Sequence, residues 1–183
     1  MMNKGNLYTK QILAASFIDL LKYNPLSKIT IQRIVDNCEF TRQTFYLHFK
    51  DKYDLINWIY KQKNYIITFS YLDKISWKDI LCKLLEYHKS NKKFYRAIME
   101  YSGQNSVREY LRMYTYDTYC VIINKQINNV LLPDEFMFSL RLYSCGSAQM
   151  TLDWILNDMK ESPQYIATRL YNSMNTEIKN YFP

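Results

Sequence analysis

The sequence predicts an all-α fold of about nine helices. Three observations carry that expectation. Apolar residues recur every three to four positions almost throughout the chain. Only 3 glycines and 4 prolines occur in 183 residues, too few turn formers for a sandwich or barrel. Polar capping residues stand just ahead of most apolar runs. With 48% hydrophobic residues, the chain can bury a sizeable core.

The elements follow in order. Ile12, Ala15, Ser16, Ile18 and Leu21 define a first helix, which Asn24-Pro25 ends because a residue before proline avoids the helical region. A short helix spans Thr30 to Asn37, with Thr30 offering its hydroxyl to free backbone N–H groups. A break at Cys38-Glu39-Phe40 precedes a second short helix, Thr41 to His48. Asp51 caps a longer helix carrying Leu55, Trp58 and Ile59. Ser76-Trp77-Lys78-Asp79 resembles a capping box and opens a helix with Ile80, Leu81, Leu84 and Leu85. Further helices are expected over 92–101 and 105–129. Pro133-Asp134-Glu135 starts one running to about Met159, where proline and acids suit a first turn. Ser162-Pro163 starts the last, with Ile166, Leu170, Met174 and Ile178 four apart.

Two short helices separated by three residues form a helix-turn-helix pattern. Phe45 and Phe49, with Phe40, supply an apolar locking face. Thr41, Arg42, Gln43, Thr44, Tyr46 and His48 are left outward, dense in hydrogen-bonding groups. Guanidinium matches guanine and carboxamide matches adenine, so Arg42 and Gln43 are expected to read base edges. Thr41, Thr44, Tyr46 and His48 are expected at phosphates, and Lys52 adds charge at the next helix start. The formal charge of +7 suits a polyanion. Residues 1–53 hold a surplus of 4 positive charges and the remaining 130 residues a surplus of 3, so charge is denser in this head. The two domains are expected at 1–53 and 54–183.

The stretch Thr41-Arg42-Gln43-Thr44-Phe45-Tyr46-Leu47-His48-Phe49-Lys50-Asp51-Lys52-Tyr53-Asp54-Leu55 resembles the signature of the TetR family of bacterial transcriptional regulators. Thr44, Phe45, Tyr46, His48, Phe49, Lys52 and Leu55 match it, as does Thr30-Ile31-x-x-Ile34, which brings Thr30 into the DNA-contacting set. Three positions depart. Cys38-Glu39 replaces the usual Ala-Gly of the turn, Gln43 stands for a common Gly, and Val35 for a common Ala. Glu39 in the left-handed conformation would be strained by about 1–2 kcal/mol. The segments 94–106 and 154–163 resemble, more weakly, a subgroup with a short C-terminal domain that includes relatives of the activator of bacterial dihydroxyacetone kinase operons.

The resemblance implies a regulator, repressor in the first reading, that binds a palindromic operator in double-stranded DNA as a homodimer. It also implies release by an unknown small-molecule or protein effector. Transcriptional activation, or a helical partner-binding module that no longer reads DNA, are the alternatives. Tyr95, Met99, Tyr110, Met113, Tyr114, Phe136 and Tyr143 are candidates for an effector pocket. Ser147, Met150, Trp154, Ile155, Ile166, Leu170 and Met174 are candidates for the dimer interface.

Other classes find little support. No Gly-rich phosphate loop and no nucleophile–base set can be assembled around two histidines, so no enzyme is expected. His88, among lysines at a helix end, is expected in solvent. The cysteines at 38, 82, 120 and 145 are far apart, so neither a metal site nor a cofactor is expected. No long apolar run or N-terminal leader pattern occurs, and a cytoplasmic location without a membrane partner is the expectation.

Overall fold

The computed structural model describes residues 4–103, 105–127 and 131–183, and all regular structure among them is helical. The helices are α1 Lys4–Tyr23, α2 Ile31–Asp36, α3 Arg42–Tyr46, α4 Lys52–Tyr71 and α5 Trp77–Ser90, then α6 Lys92–Glu100, α7 Val107–Gln126, α8 Asp134–Leu156, α9 Pro163–Ser173 and α10 Thr176–Lys179. A 3-10 turn, Leu26–Lys28, joins α1 to α2. The tail of the helix expected over 105–129 lies, at 128–129, outside the described residues.

Most helix starts are where the caps place them. The Thr30 hydroxyl accepts from Arg33 N, and that of Thr41 from Thr44 N. The Asp51 carboxylate accepts from the N–H groups of Tyr53 and Asp54 at 2.7 and 2.8 Å. Ser76 and Ser162 cap α5 and α9. Each such cap is worth about 1 kcal/mol because a free helix-end N–H is otherwise left without a partner. The last expected helix is two. Asn175 accepts from Ile178 N at 2.8 Å, restarting the chain as α10 after an extended Met174.

The head is α1 to α3 packed on the start of α4. Leu13 and Phe17 of α1, Ile34 and Val35 of α2, Phe45 of α3 and Leu55 of α4 are all fully buried or nearly so. Burying one such side chain stabilises by roughly 1.5–3 kcal/mol, so this small core holds α2 and α3, which are too short to be stable alone, against α1 and α4. The body is a bundle in which α5 lies along α9, and α7 and α6 along α8. α4 is continuous across position 53 and belongs to both parts: Leu55 and Ile59 sit in the core near the head, and Tyr60, Asn64 and Thr68 are buried in the body.

Candidate nucleic-acid interface

The turn between α2 and α3 is closed by the backbone. Phe40 N donates to Val35 O at 3.0 Å and Glu39 N to Asp36 O at 3.4 Å, with Glu39 at φ 56°. This six-to-one bond around a left-handed residue is the usual stop for a helix, and glycine is the residue that takes it without strain. Glu39 therefore occupies the strained position expected of it. Asn37 donates to the Ser16 hydroxyl at 3.2 Å, and that hydroxyl donates to Ile34 O at 2.6 Å, tying α2 to α1.

α3 is locked by aromatic packing. The fully buried Phe45 lies 5.7 Å from the Phe49 ring, which lies 5.9 Å from Trp58 of α4. Aromatic contacts of this kind hold orientation as well as burying area. The opposite face is open. Thr41, Arg42, Gln43, Tyr46 and Leu47 are exposed, and Thr44 and His48 are half-buried. The Arg42 guanidinium donates to the Tyr46 hydroxyl at 3.3 Å and sits 5.9 Å from its ring, so the two stand side by side on the outer surface.

Thr30, Thr41, Thr44 and Lys52 of the expected set have local partners. The Thr41 hydroxyl caps α3 and lies 2.9 Å from that of Thr44. Thr30 is exposed and caps α2. His48 keeps a buried Nδ1 with no hydrogen-bond partner. Lys52 departs furthest from its expected role. Its ammonium is turned inward and donates to Leu26 O at 3.1 Å and Ile29 O at 3.0 Å, fastening the 3-10 turn to the start of α4. Partial burial lowers its pKa from the ordinary lysine value. Two of its three N–H groups are thus committed to the fold rather than to a phosphate.

Leu47 went unassigned in the sequence. It ends α3 at 76% exposure, four residues beyond Gln43, where an apolar side chain can meet a thymine methyl. The signal available was that helical spacing.

The loop between α6 and α7 reaches the head. Tyr101 stacks on Tyr53 with ring centroids 4.4 Å apart and planes within 9°. Asn105, itself at φ 61°, donates to the second Asp51 oxygen at 3.2 Å. The first turn of α4, which follows α3, is therefore held by the body.

In the body the seven residues expected around an effector do not meet in one place. Tyr114 lines an internal cavity together with Tyr60, Asn64, Trp77 and His88. Tyr95 packs its ring 4.1 Å from His88, and Tyr110 stacks on Tyr114. Met99 is fully buried, whereas Met113 is 59% exposed on α7. Phe136 packs on Tyr181. Tyr143 stacks on Tyr119 and donates to Leu170 O at 2.8 Å. His88 is not in solvent. It is 3% exposed, and burial drops its pKa to about 3. Lysines flank it in sequence, but it continues the Leu81, Leu85 stripe of α5 and so faces the core.

A family model described as a transcriptional regulator C-terminal region, one of the TetR C-terminal families, matches residues 76–176, more than half of the chain. The chain belongs to the TetR family of transcriptional regulators. DhaS of Lactococcus lactis subsp. lactis (strain IL1403), described as an HTH-type dhaKLM operon transcriptional activator, is 30% identical over 95 residues. Those residues are 52% of this chain and 51% of that protein, so the match spans about half the length of the curated relative. A solved structure of a dihydroxyacetone kinase operon activator, DhaS, superposes at a TM-score of 0.65 with 21% identity, covering 97% of this chain and 99% of that one. A TetR transcriptional regulator from Streptococcus agalactiae 2603V gives 0.62 and 17%, covering 94% and 96%. At these identities the two structures show a shared fold.

TetR-family regulators bind DNA and typically act as dimers. Of the seven residues expected at a dimer interface, Ser147, Trp154, Ile155, Leu170 and Met174 are buried within the protomer itself. The large apolar side chains of Trp154, Ile155, Leu170 and Met174 fill the core under α8 and α9, and cannot also cover a second copy. Met150 is 53% exposed and Ile166 half-buried. The apolar face that α8 leaves open is Phe138, Leu142, Gly146 and Met150, spaced by four, with Phe138 at 72% and Leu142 at 66% exposure. A Cβ on Gly146 would meet nothing within 4 Å. Among the described residues no group of three or more His, Cys, Asp or Glu could hold a metal ion, and no helix is long and apolar enough to cross a membrane.

Proposed function

We propose that the protein binds a palindromic operator as a homodimer and represses transcription by occupying it. The observation that carries this reading is α3: its polar face is open along Arg42, Gln43, Tyr46 and Leu47, while Phe45 locks the other side. Arg42 and Gln43 read base edges. Tyr46, Thr44 and His48 approach phosphates, with Thr30 and Thr41 at the N-terminal ends of α2 and α3. Lys52 acts by holding the 3-10 turn in place. The second copy packs on Phe138, Leu142, Gly146 and Met150 of α8 with the exposed side of α9, where Tyr165 is 49% exposed. Burial of that apolar stripe favours association.

Release by an effector would run through α4, whose first turn carries the head and whose later turns line the body cavity with Tyr60, Asn64 and Thr68. A ligand that favours one position of α4 shifts the spacing of the two heads, and only that difference in affinity can drive release.

The test is fluorescence anisotropy with duplex DNA from upstream of the protein's own gene. Saturable binding that weakens by about 10³-fold or more between 50 and 200 mM salt is expected of a head making many phosphate contacts. Binding indifferent to salt and sequence would remove the reading. The Lactococcus relative is described as an activator. That favours activation as the second reading, and a reporter strain with and without the gene separates the two by the sign of the change.

A further inference from the structure

The lining of the body cavity limits the charge of what it can hold. Among the described residues it contains no Lys, Arg, Asp or Glu. The groups in it that can ionise are kept neutral by burial. His88 has its pKa dropped to about 3. Tyr60, Tyr114 and Tyr119 have theirs raised, that of Tyr114 to about 12. Leu81, Leu84, Leu85, Leu111 and Leu170 add aliphatic wall. The volume is about 70 Å³. It has room for about five to seven water-sized spheres, so its occupant is small.

The polar groups of the lining are weighted toward acceptors. A hydroxyl has one proton, and once it is given away the oxygen can only accept. On α7 the Thr115 hydroxyl donates to Leu111 O and that of Thr118 to Tyr114 O, both at 2.8 Å. On α8 the Ser147 hydroxyl donates to Ser144 O at 3.1 Å and that of Thr151 to Ser147 O at 2.9 Å. All four protons are thus spent on the residue's own helix, and all four oxygens keep lone pairs. Asn64 donates through Nδ2 to Tyr60 O at 2.7 Å, which leaves its Oδ1 to face His88 Nε2 at 2.9 Å. Nε2 therefore carries the ring proton, and His88 Nδ1, buried without a hydrogen-bond partner, is a further acceptor. The Trp77 indole N–H is a donor, also buried without a partner.

We propose that the cavity binds a small, uncharged, largely apolar molecule, chain or ring, that donates a hydrogen bond through an O–H or N–H group. This names the ligand class for the effector reading above and rests on it. An ion of either sign would leave water for a lining with no opposite charge, which is strongly unfavourable. A neutral donor gives its proton to a lining oxygen that has none of its own left to give. A ligand that only accepts can meet the Trp77 N–H but leaves those oxygens unbonded, and loses the difference.

The probes share similar bulk and differ in charge and donor: cyclohexanol, cyclohexanone, cyclohexylammonium and cyclopentanecarboxylate. They are compared at about pH 7, where the last two are ionised. Binding to the full chain is read by titration calorimetry and by the rise in unfolding temperature. The expected result is cyclohexanol at least tenfold tighter than either ion and at least about threefold tighter than cyclohexanone. The combined variant Thr115→Val, Thr118→Val, Ser147→Ala and Thr151→Val removes the four oxygens and should bring the alcohol and the ketone to equal affinity. Should that variant fail to fold, the ranking of the four probes on the unaltered protein decides alone. An ion that binds as tightly as cyclohexanol, a ketone that equals it on the unaltered protein, or no binding of cyclohexanol overturns the proposal. So does a folded variant that keeps the full preference for the alcohol. Binding to upstream DNA is measured on the same samples. DNA binding without cyclohexanol binding defeats this inference and leaves the regulator reading standing. The reverse result defeats the regulator reading and leaves the cavity's selectivity.

Discussion

Glu39 offers a test in which backbone and charge can be separated. It sits at φ 56° in the turn before α3, and its side chain is exposed. An L-residue with a Cβ in that region is strained by about 1–2 kcal/mol. Glycine removes the strain but gives back part of the gain, because a glycine chain is freer when unfolded, by roughly 0.5–1 kcal/mol. The net expectation for Glu39→Gly is a gain of about 0.5–1 kcal/mol. For a domain of this size that raises the unfolding temperature by roughly 1–4 °C. Glu39→Gln keeps the strained Cβ and removes the carboxylate, so its stability should stay within about 0.5 kcal/mol of the starting protein. Both variants lose one negative charge beside the DNA-facing helix, and both should bind DNA modestly tighter at low salt. Urea unfolding and anisotropy measure the two effects on the same samples. If Glu39→Gly is no more stable than Glu39→Gln, the turn is not strained by its left-handed residue and the reasoning fails.

Lys52→Met should lower stability by about 1–3 kcal/mol in urea unfolding, because the carbonyls of Leu26 and Ile29 lose their donor. Loss of DNA affinity with unchanged stability would return Lys52 to a phosphate. His88 is held near pKa 3 in the fold against an ordinary 6.5. The unfolded chain therefore takes up a proton that the folded one refuses. Stability should be independent of this group above about pH 6.5 and fall by about 1.4 kcal/mol per pH unit below it, toward pH 3. His88→Leu should remove that slope, and a slope unchanged in the variant would assign it elsewhere. Leu142→Glu, on the open face of α8, should leave the helix content intact and shift the protein to monomer in sedimentation experiments. A dimer that survives it would place the interface elsewhere.

Local signals were legible in the sequence because their physics is local. Thr30, Thr41, Asp51, Ser76 and Ser162 each satisfy N–H groups two to three residues on, so the helix starts could be placed without tertiary information. Phe45 and Phe49 at a spacing of four gave the locked side of α3, and hence its open side. What was not legible depends on partners distant in sequence. The carbonyls that capture Lys52 lie more than twenty residues upstream. α8 is apolar on several sides, so periodicity alone could not say that Leu140, Ser144, Ala148 and Leu152 face the core while Phe138, Leu142 and Gly146 stay open. The spacing of four from Ile166 to Ile178 concealed a break, because Met174 and Ile178 fall on the core side before and after the Asn175 cap. His88 was obscured by its lysine neighbours, although its place in the leucine stripe of α5 gave the correct side.

The central claim is that α3 of a dimer reads DNA through Arg42 and Gln43. Selection from random duplex DNA tests it most directly. The account predicts an enriched inverted repeat whose half-sites are contacted on one side of the duplex, their centres about 34–36 Å apart or a multiple of this. It also predicts that Arg42→Ala and Gln43→Ala each relax the preference at particular base pairs by about 1–3 kcal/mol. Recovery of no enriched sequence, or of one whose base preferences are unchanged in both variants, would contradict it.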